Sequence, residues 1–117
     1  MIYFVHRGMG GRYTSYVNDA VKKISRVRPI LFSANSPHSP GLRVAVCQSG
    51  TPLTEERMRI FLAQENVTFY FGDSRGMPVE IVSSSDCAVS VSSLPVSHQI
   101  EAAIVADQVS RLLINSE

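Results

Sequence analysis

The chain of 117 residues is 44% hydrophobic and 18% charged, which suits one folded domain and excludes a disordered chain or two ordinary domains. No apolar run approaches the roughly 18–20 residues that span a bilayer, and Met1-Ile2-Tyr3-Phe4-Val5-His6-Arg7 lacks the pattern of a signal peptide, so a cytoplasmic protein is expected. The net charge of +1 hides an asymmetry: residues 1–43 carry +6 and residues 44–117 carry −5, a distribution able to form a phosphate-attracting surface.

Ile2-Tyr3-Phe4-Val5 reads as a strand. Tyr13, Tyr16, Val17, Ala20, Val21 and Ile24 then follow the spacing of one helical face, with Asn18, Lys22, Lys23 and Arg26 off it. Pro29 is expected to close that helix, and Ile30-Leu31-Phe32 to form a second strand. Asn35–Gly41 reads as a loop and Val44–Cys47 as a third strand. Thr51 and Pro52 are expected to cap and open a helix, with Glu55 and Glu56 at its positive end and Met58, Phe61 and Leu62 on its apolar face. Val67–Phe71 is a fourth strand, Gly72–Gly76 a turn, and Pro78–Ser83 a short helix. Cys87–Val91 is a fifth strand, and a last helix runs from Pro95 or Ser97 to Leu113.

Strands alternating with helices predict an α/β single domain over 1–117 with a mainly parallel, five-stranded sheet flanked by helices. In the last helix, Ala102, Val105, Ala106, Val109, Leu112 and Leu113 form one stripe, and Val96, Ile100, Ala103 and Ile104 an adjoining one. An arc that wide is buried on more than one side, and a second protomer is the expected cover.

Gly8-Met9-Gly10-Gly11 stands where a dinucleotide fingerprint would, but its third glycine is replaced by Tyr13, which disfavours a Rossmann-type nucleotide binder. Cys47 and Cys87 read as buried reduced thiols, and with His6, His38 and His98 scattered, no metal site is expected. The strongest constellation joins Gly72-Asp73-Ser74-Arg75-Gly76 to Ser90–Gln99, two loops at the carboxyl ends of parallel strands. Glycine and small serines there let a flat ligand approach the main chain, and a purine suits such a wall.

At these residues the chain resembles SPOUT-class RNA methyltransferases, and within them the small family that methylates N3 of a pseudouridine in large-subunit ribosomal RNA. That family's Ser-Leu-Ser-x-Leu/Met-Thr-Leu-Pro-His-Gln motif is similar to Ser90-Val91-Ser92-Ser93-Leu94-Pro95-Val96-Ser97-His98-Gln99, without a gap. Its Ile-Gly-Gly-x-x-Gly-Leu segment is similar to Phe71–Met77, and its strand ending in Leu-Asp before a glycine turn to Val44–Gln48 with Gly50. The sequence departs from the family at Pro95-Val96-Ser97, at Gln48 in place of aspartate, in the short Asn35–Leu42 stretch, and in having no Tyr, His and Arg tail after the last helix.

The resemblance implies a C-terminal trefoil knot (the SPOUT or α/β knot, about residues 67–117) and a homodimer with an active site shared between subunits. It implies S-adenosyl-L-methionine bound at Cys47, Gly72, Val91, Ser92, Ser93, Leu94, Pro95 and Val96. The expected activity is direct methyl transfer to a structured RNA, ribosomal or transfer, with no metal and no membrane. His98 and Arg111 are the candidate catalytic residues, Arg111 being equally suited to a structural salt bridge. Arg7, Arg12, Lys22, Lys23, Arg26 and Arg75 are the candidate RNA contacts. The alternative expectation is a knotted dimer that binds RNA without methylating it.

Overall fold

The computed structural model describes residues 2–6, 19, 27–31, 41–72 and 76–116. The glycine turn at residues 8–11, the helix expected over residues 13–26 apart from the helical and exposed Asp19, and the loop up to residue 40 lie outside them, as does Asp73-Ser74-Arg75. The strands are β1 (Ile2–His6), β2 (Val27–Leu31), β3 (Leu42–Pro52), β4 (Val67–Phe71) and β5 (Cys87–Ser90). The helices are α1 (Glu55–Leu62), α2 (Val79–Ser84) and α3 (His98–Ser116). The strand order is β2-β1-β4-β3-β5, and every neighbouring pair is parallel. The chain is thus an α/β domain with a parallel sheet flanked by helices.

β4 lies in the centre and is buried throughout, as a continuous run of apolar and β-branched residues requires when both faces are covered. Alternation splits the core between those faces. Phe4 and Phe69 are in register, and with Phe71 they meet edge to face at centroid separations of 5.7 Å. Met58, Phe61 and Leu62 of α1 join this face, as do Ala102, Val105, Ala106, Val109, Leu112 and Leu113 of α3. Val5 and Tyr70 point the other way and pack with Ile81 of α2. None of the helices among the described residues is long and apolar enough to cross a membrane.

The structure moves several boundaries. Pro29 lies within β2 and does not close a helix; β2 is an edge strand, where a residue without an N–H is tolerated. β3 extends beyond Cys47 to Pro52, so Thr51 and Pro52 neither cap nor open α1. Thr54 is the cap, its hydroxyl accepting from the Arg57 N–H at 3.2 Å. Thr51 is held by β5: its hydroxyl donates to the Ala88 carbonyl at 3.3 Å and accepts from the Arg57 guanidinium. β5 ends at Ser90, and α3 starts after Ser97, whose hydroxyl accepts from the Ile100 N–H at 3.3 Å.

The extension of β3 has a topological consequence. Val46 and Thr51 both pair with Val89, and Pro52 continues in register with Ser90. A residue in a parallel sheet has one partner on each edge, so the two arms of β3 flank β5 and Cys47–Gly50 cross over it. The Leu53 N–H donates to the Ser90 carbonyl at 2.8 Å, extending the second arm.

Candidate functional site

Beyond the first arm of β3 and the carboxyl end of β4 lies a cavity of about 410 Å³. Val46, Cys47 and Gln48 line it from the middle of β3, where its first arm ends, and Gly72, Gly76 and Met77 from the segment after β4. Val96, Ser97, His98 and Glu101 line it from the approach to α3 and its first turn. These are the strand-end segments at which an open parallel sheet admits a ligand.

The cavity brings together Cys47, Gly72, Val96 and His98 of the sequence-selected residues. Val91 faces a second cavity of about 260 Å³, bounded by Leu53, Met58 and Ile104. Ser92, Ser93, Leu94 and Pro95 line neither cavity. They form a loop that satisfies itself: the Ser90 hydroxyl donates to the Ser92 carbonyl at 2.8 Å, and the Ser92 hydroxyl accepts from the Leu94 N–H at 3.0 Å. Leu94 is exposed.

Arg111 lies thirteen residues along α3 from His98, about 20 Å at the rise of an α-helix. It is exposed and pairs with Asp107 one turn earlier, Nε to Oδ2 at 2.9 Å, so a single chain does not bring it to His98. Arg7, Arg12, Lys22, Lys23, Arg26 and Arg75 lie outside the described residues.

Gly72 is buried, and the reason for glycine is local. A Cβ there would meet the Gly76 carbonyl carbon and oxygen at 2.8 Å and the Met77 nitrogen at 3.0 Å. The main chain folds back on itself at the mouth of the cavity, so a side chain at Gly72 displaces that segment before it reaches any ligand. Cys47 is buried, with its sulfur 3.6 Å from the Ser49 hydroxyl. Cys87 is only half buried; burial raises its thiol pKa, outweighing the nearby Arg57, and keeps it protonated at neutral pH.

Glu101 escaped the sequence reading. It is buried, and burial lifts its carboxyl to a pKa of about 7 despite a first-turn position that favours negative charge. The signal was available: Glu101, Val105, Val109 and Leu112 follow i, i+4, i+8, i+11, so a charged residue stands within the apolar stripe of α3.

Among the described residues there is no group of three or more His, Cys, Asp or Glu side chains able to hold a metal ion. No known family model matches the chain, and no curated protein is detectably similar to it.

Proposed function

We propose that the chain is a minimal SPOUT-class RNA methyltransferase, dependent on S-adenosylmethionine and acting as a knotted homodimer on a structured RNA in the cytoplasm. The observation that carries this reading is a coincidence of two features. The cavity opens between the same three segments that the sequence resemblance selects, and Cys47–Gly50, one of them, cross over β5. Such a crossing is what a trefoil knot around the last strand requires, and the crossing alone does not close one.

The residues suit the cofactor. The cavity has the size of a small-molecule site. Val46, Met77 and Val96 offer an apolar wall, Gly72 and Gly76 line the cavity without side chains, and Glu101 and His98 supply polar groups. When bound, S-adenosylmethionine supplies a methyl group already activated on a sulfonium, so no covalent intermediate on the protein is required. The work left to this chain is to hold the acceptor in line, exclude water and take a proton from an amide-like base nitrogen. His98, at the cavity rim of α3, is our candidate for the proton. The basic residues of the first 43 are our candidates for holding the RNA backbone.

The dimer is supported by the second apolar face of α3. Ile100 is 36% exposed, and Ala103 and Ile104 are half buried, although the first face is fully covered.

Calorimetry with S-adenosylmethionine, followed by methyl transfer from labelled cofactor to total cellular RNA, tests the reading. Binding together with labelled RNA is the expected outcome. Binding of cofactor or RNA without transfer would favour the non-catalytic knotted dimer. Reversal of charge at Lys22, Lys23 and Arg26 should weaken RNA binding and flatten its salt dependence, leaving cofactor affinity unchanged.

A further inference from the structure

Glu101 is a charged residue only 7% exposed. Its carboxyl has no hydrogen bond or ion pair among the described residues, although it lines the 410 Å³ cavity with His98, Cys47 and Gly72. A largely buried carboxyl without a partner opposes folding, and an apolar residue would fit the stripe better. The arrangement becomes favourable when something entering the cavity supplies the missing partner.

We propose that Glu101 reads charge in this cavity: its carboxylate receives a cationic group of the bound ligand. The inference rests on the cofactor reading above, since S-adenosylmethionine offers two such groups, its sulfonium and its α-ammonium. A neutral nucleoside thioether offers neither.

A pH dependence follows. Near neutrality the empty cavity holds Glu101 partly protonated, because burial disfavours the charge. A cation at the carboxylate favours the ionised form, so binding expels a proton and tightens as pH rises. Of the described residues around the cavity, only Cys47 on β3 and His98 on Glu101's own helix also carry ionisable side chains; Gly72, Gly76 and Met77 on the opposite wall carry none.

The test is calorimetric titration of the wild-type chain and Glu101→Gln with S-adenosylmethionine, S-adenosylhomocysteine and 5′-methylthioadenosine between pH 6 and 7.5. For the wild type, affinity for S-adenosylmethionine should rise about five- to tenfold across this range, following ionisation of a group near neutrality. 5′-Methylthioadenosine should show no rise. A rise shared by S-adenosylhomocysteine assigns the ammonium as the group received; a rise confined to S-adenosylmethionine assigns the sulfonium. Glu101→Gln should bind S-adenosylmethionine no better at pH 7.5 than the wild type does at pH 6, with no pH dependence. The ligand comparison on the wild type stands even if the variant folds poorly. A flat wild-type profile, an equal rise for 5′-methylthioadenosine, or a rise that survives in Glu101→Gln overturns the role of Glu101 and leaves the cofactor reading intact. Failure of all three ligands to bind the wild type at near-millimolar concentration overturns both.

Discussion

Gly50 packs directly on the main chain of Val89: a Cβ at Gly50 would lie 2.5 Å from both the nitrogen and the carbonyl carbon of Val89. The contact exists because β3 passes from one edge of β5 to the other between Val46 and Thr51. Glycine is the residue that lets two backbones approach this closely. Gly50→Ala should therefore force the crossing apart and destabilise the chain by about 1–3 kcal/mol, the usual range for overpacking. Denaturant unfolding of the two proteins measures this, and an unchanged midpoint would show that the crossing is looser than described.

At the cavity, Gly72 and Val96 should respond differently. A side chain at Gly72 collides with Gly76 and Met77, so Gly72→Val should lose both stability and adenosyl-ligand binding. Val96 is half buried and lines the cavity, so Val96→Phe should fill part of the space. We expect it to weaken S-adenosylmethionine binding at least about tenfold, a difference of about 1.4 kcal/mol, with little change in Tm. Calorimetry beside thermal melts checks this pair, and undiminished affinity in Val96→Phe would exclude the cavity as the cofactor site.

The two faces of α3 can be separated in the same way. Val109 is fully buried in the core of the chain, so Val109→Asp should unfold it, with a cost of several kcal/mol from an unpaired buried charge. Ile100 is exposed, so Ile100→Asp should keep the fold and abolish the dimer. Sedimentation at micromolar concentration distinguishes the outcomes. A wild-type monomer, or a dimer that survives Ile100→Asp, would move the interface elsewhere or remove it.

Glu101 should also leave a signature in stability. Its pKa rises from 4.5 to about 7 on folding, so the folded chain holds the proton more tightly than the unfolded chain. The associated stability is fully present below about pH 4.5 and is lost as pH rises toward 7. Glu101→Gln, which mimics the protonated form, should match the wild type near pH 4.5 and exceed it above pH 7. Because the cavity admits water that screens the charge, we expect a gain of only about 1 kcal/mol. Tm values of both proteins from pH 4.5 to 8 provide the check, and parallel curves would contradict it.

Much of the fold is legible in local pattern. The run Val67-Thr68-Phe69-Tyr70-Phe71 can satisfy itself only in a strand covered on both faces, and it is the central strand, with the bounds the pattern implies. The stripe from Ala102 to Leu113 is a helix face and is buried as such. Glycine and serine clusters after β4 and β5 marked the ends of the strands beside the cavity, because only small residues allow the chain to turn there. Three of the eight residues expected to bind the cofactor, Cys47, Gly72 and Val96, line the cavity together.

What local pattern could not supply is the identity of each partner. Thr51-Pro52 carries the chemistry of a helix start, but pairing with Val89 and Ser90 draws it into β3 and leaves Thr54 to cap α1. Pro29 looks like a stop and becomes an edge-strand residue because a neighbouring strand accepts the chain there. The Ser92 hydroxyl holds the Leu94 N–H, a pairing that residue type alone does not specify. Glu101 is an ordinary helix charge by residue type, and only the closure of α3 over the strand ends buries most of it and makes its carboxyl a chemical feature of the cavity. Periodicity and turn chemistry act over a few residues, whereas burial and strand pairing are decided by segments tens of residues apart.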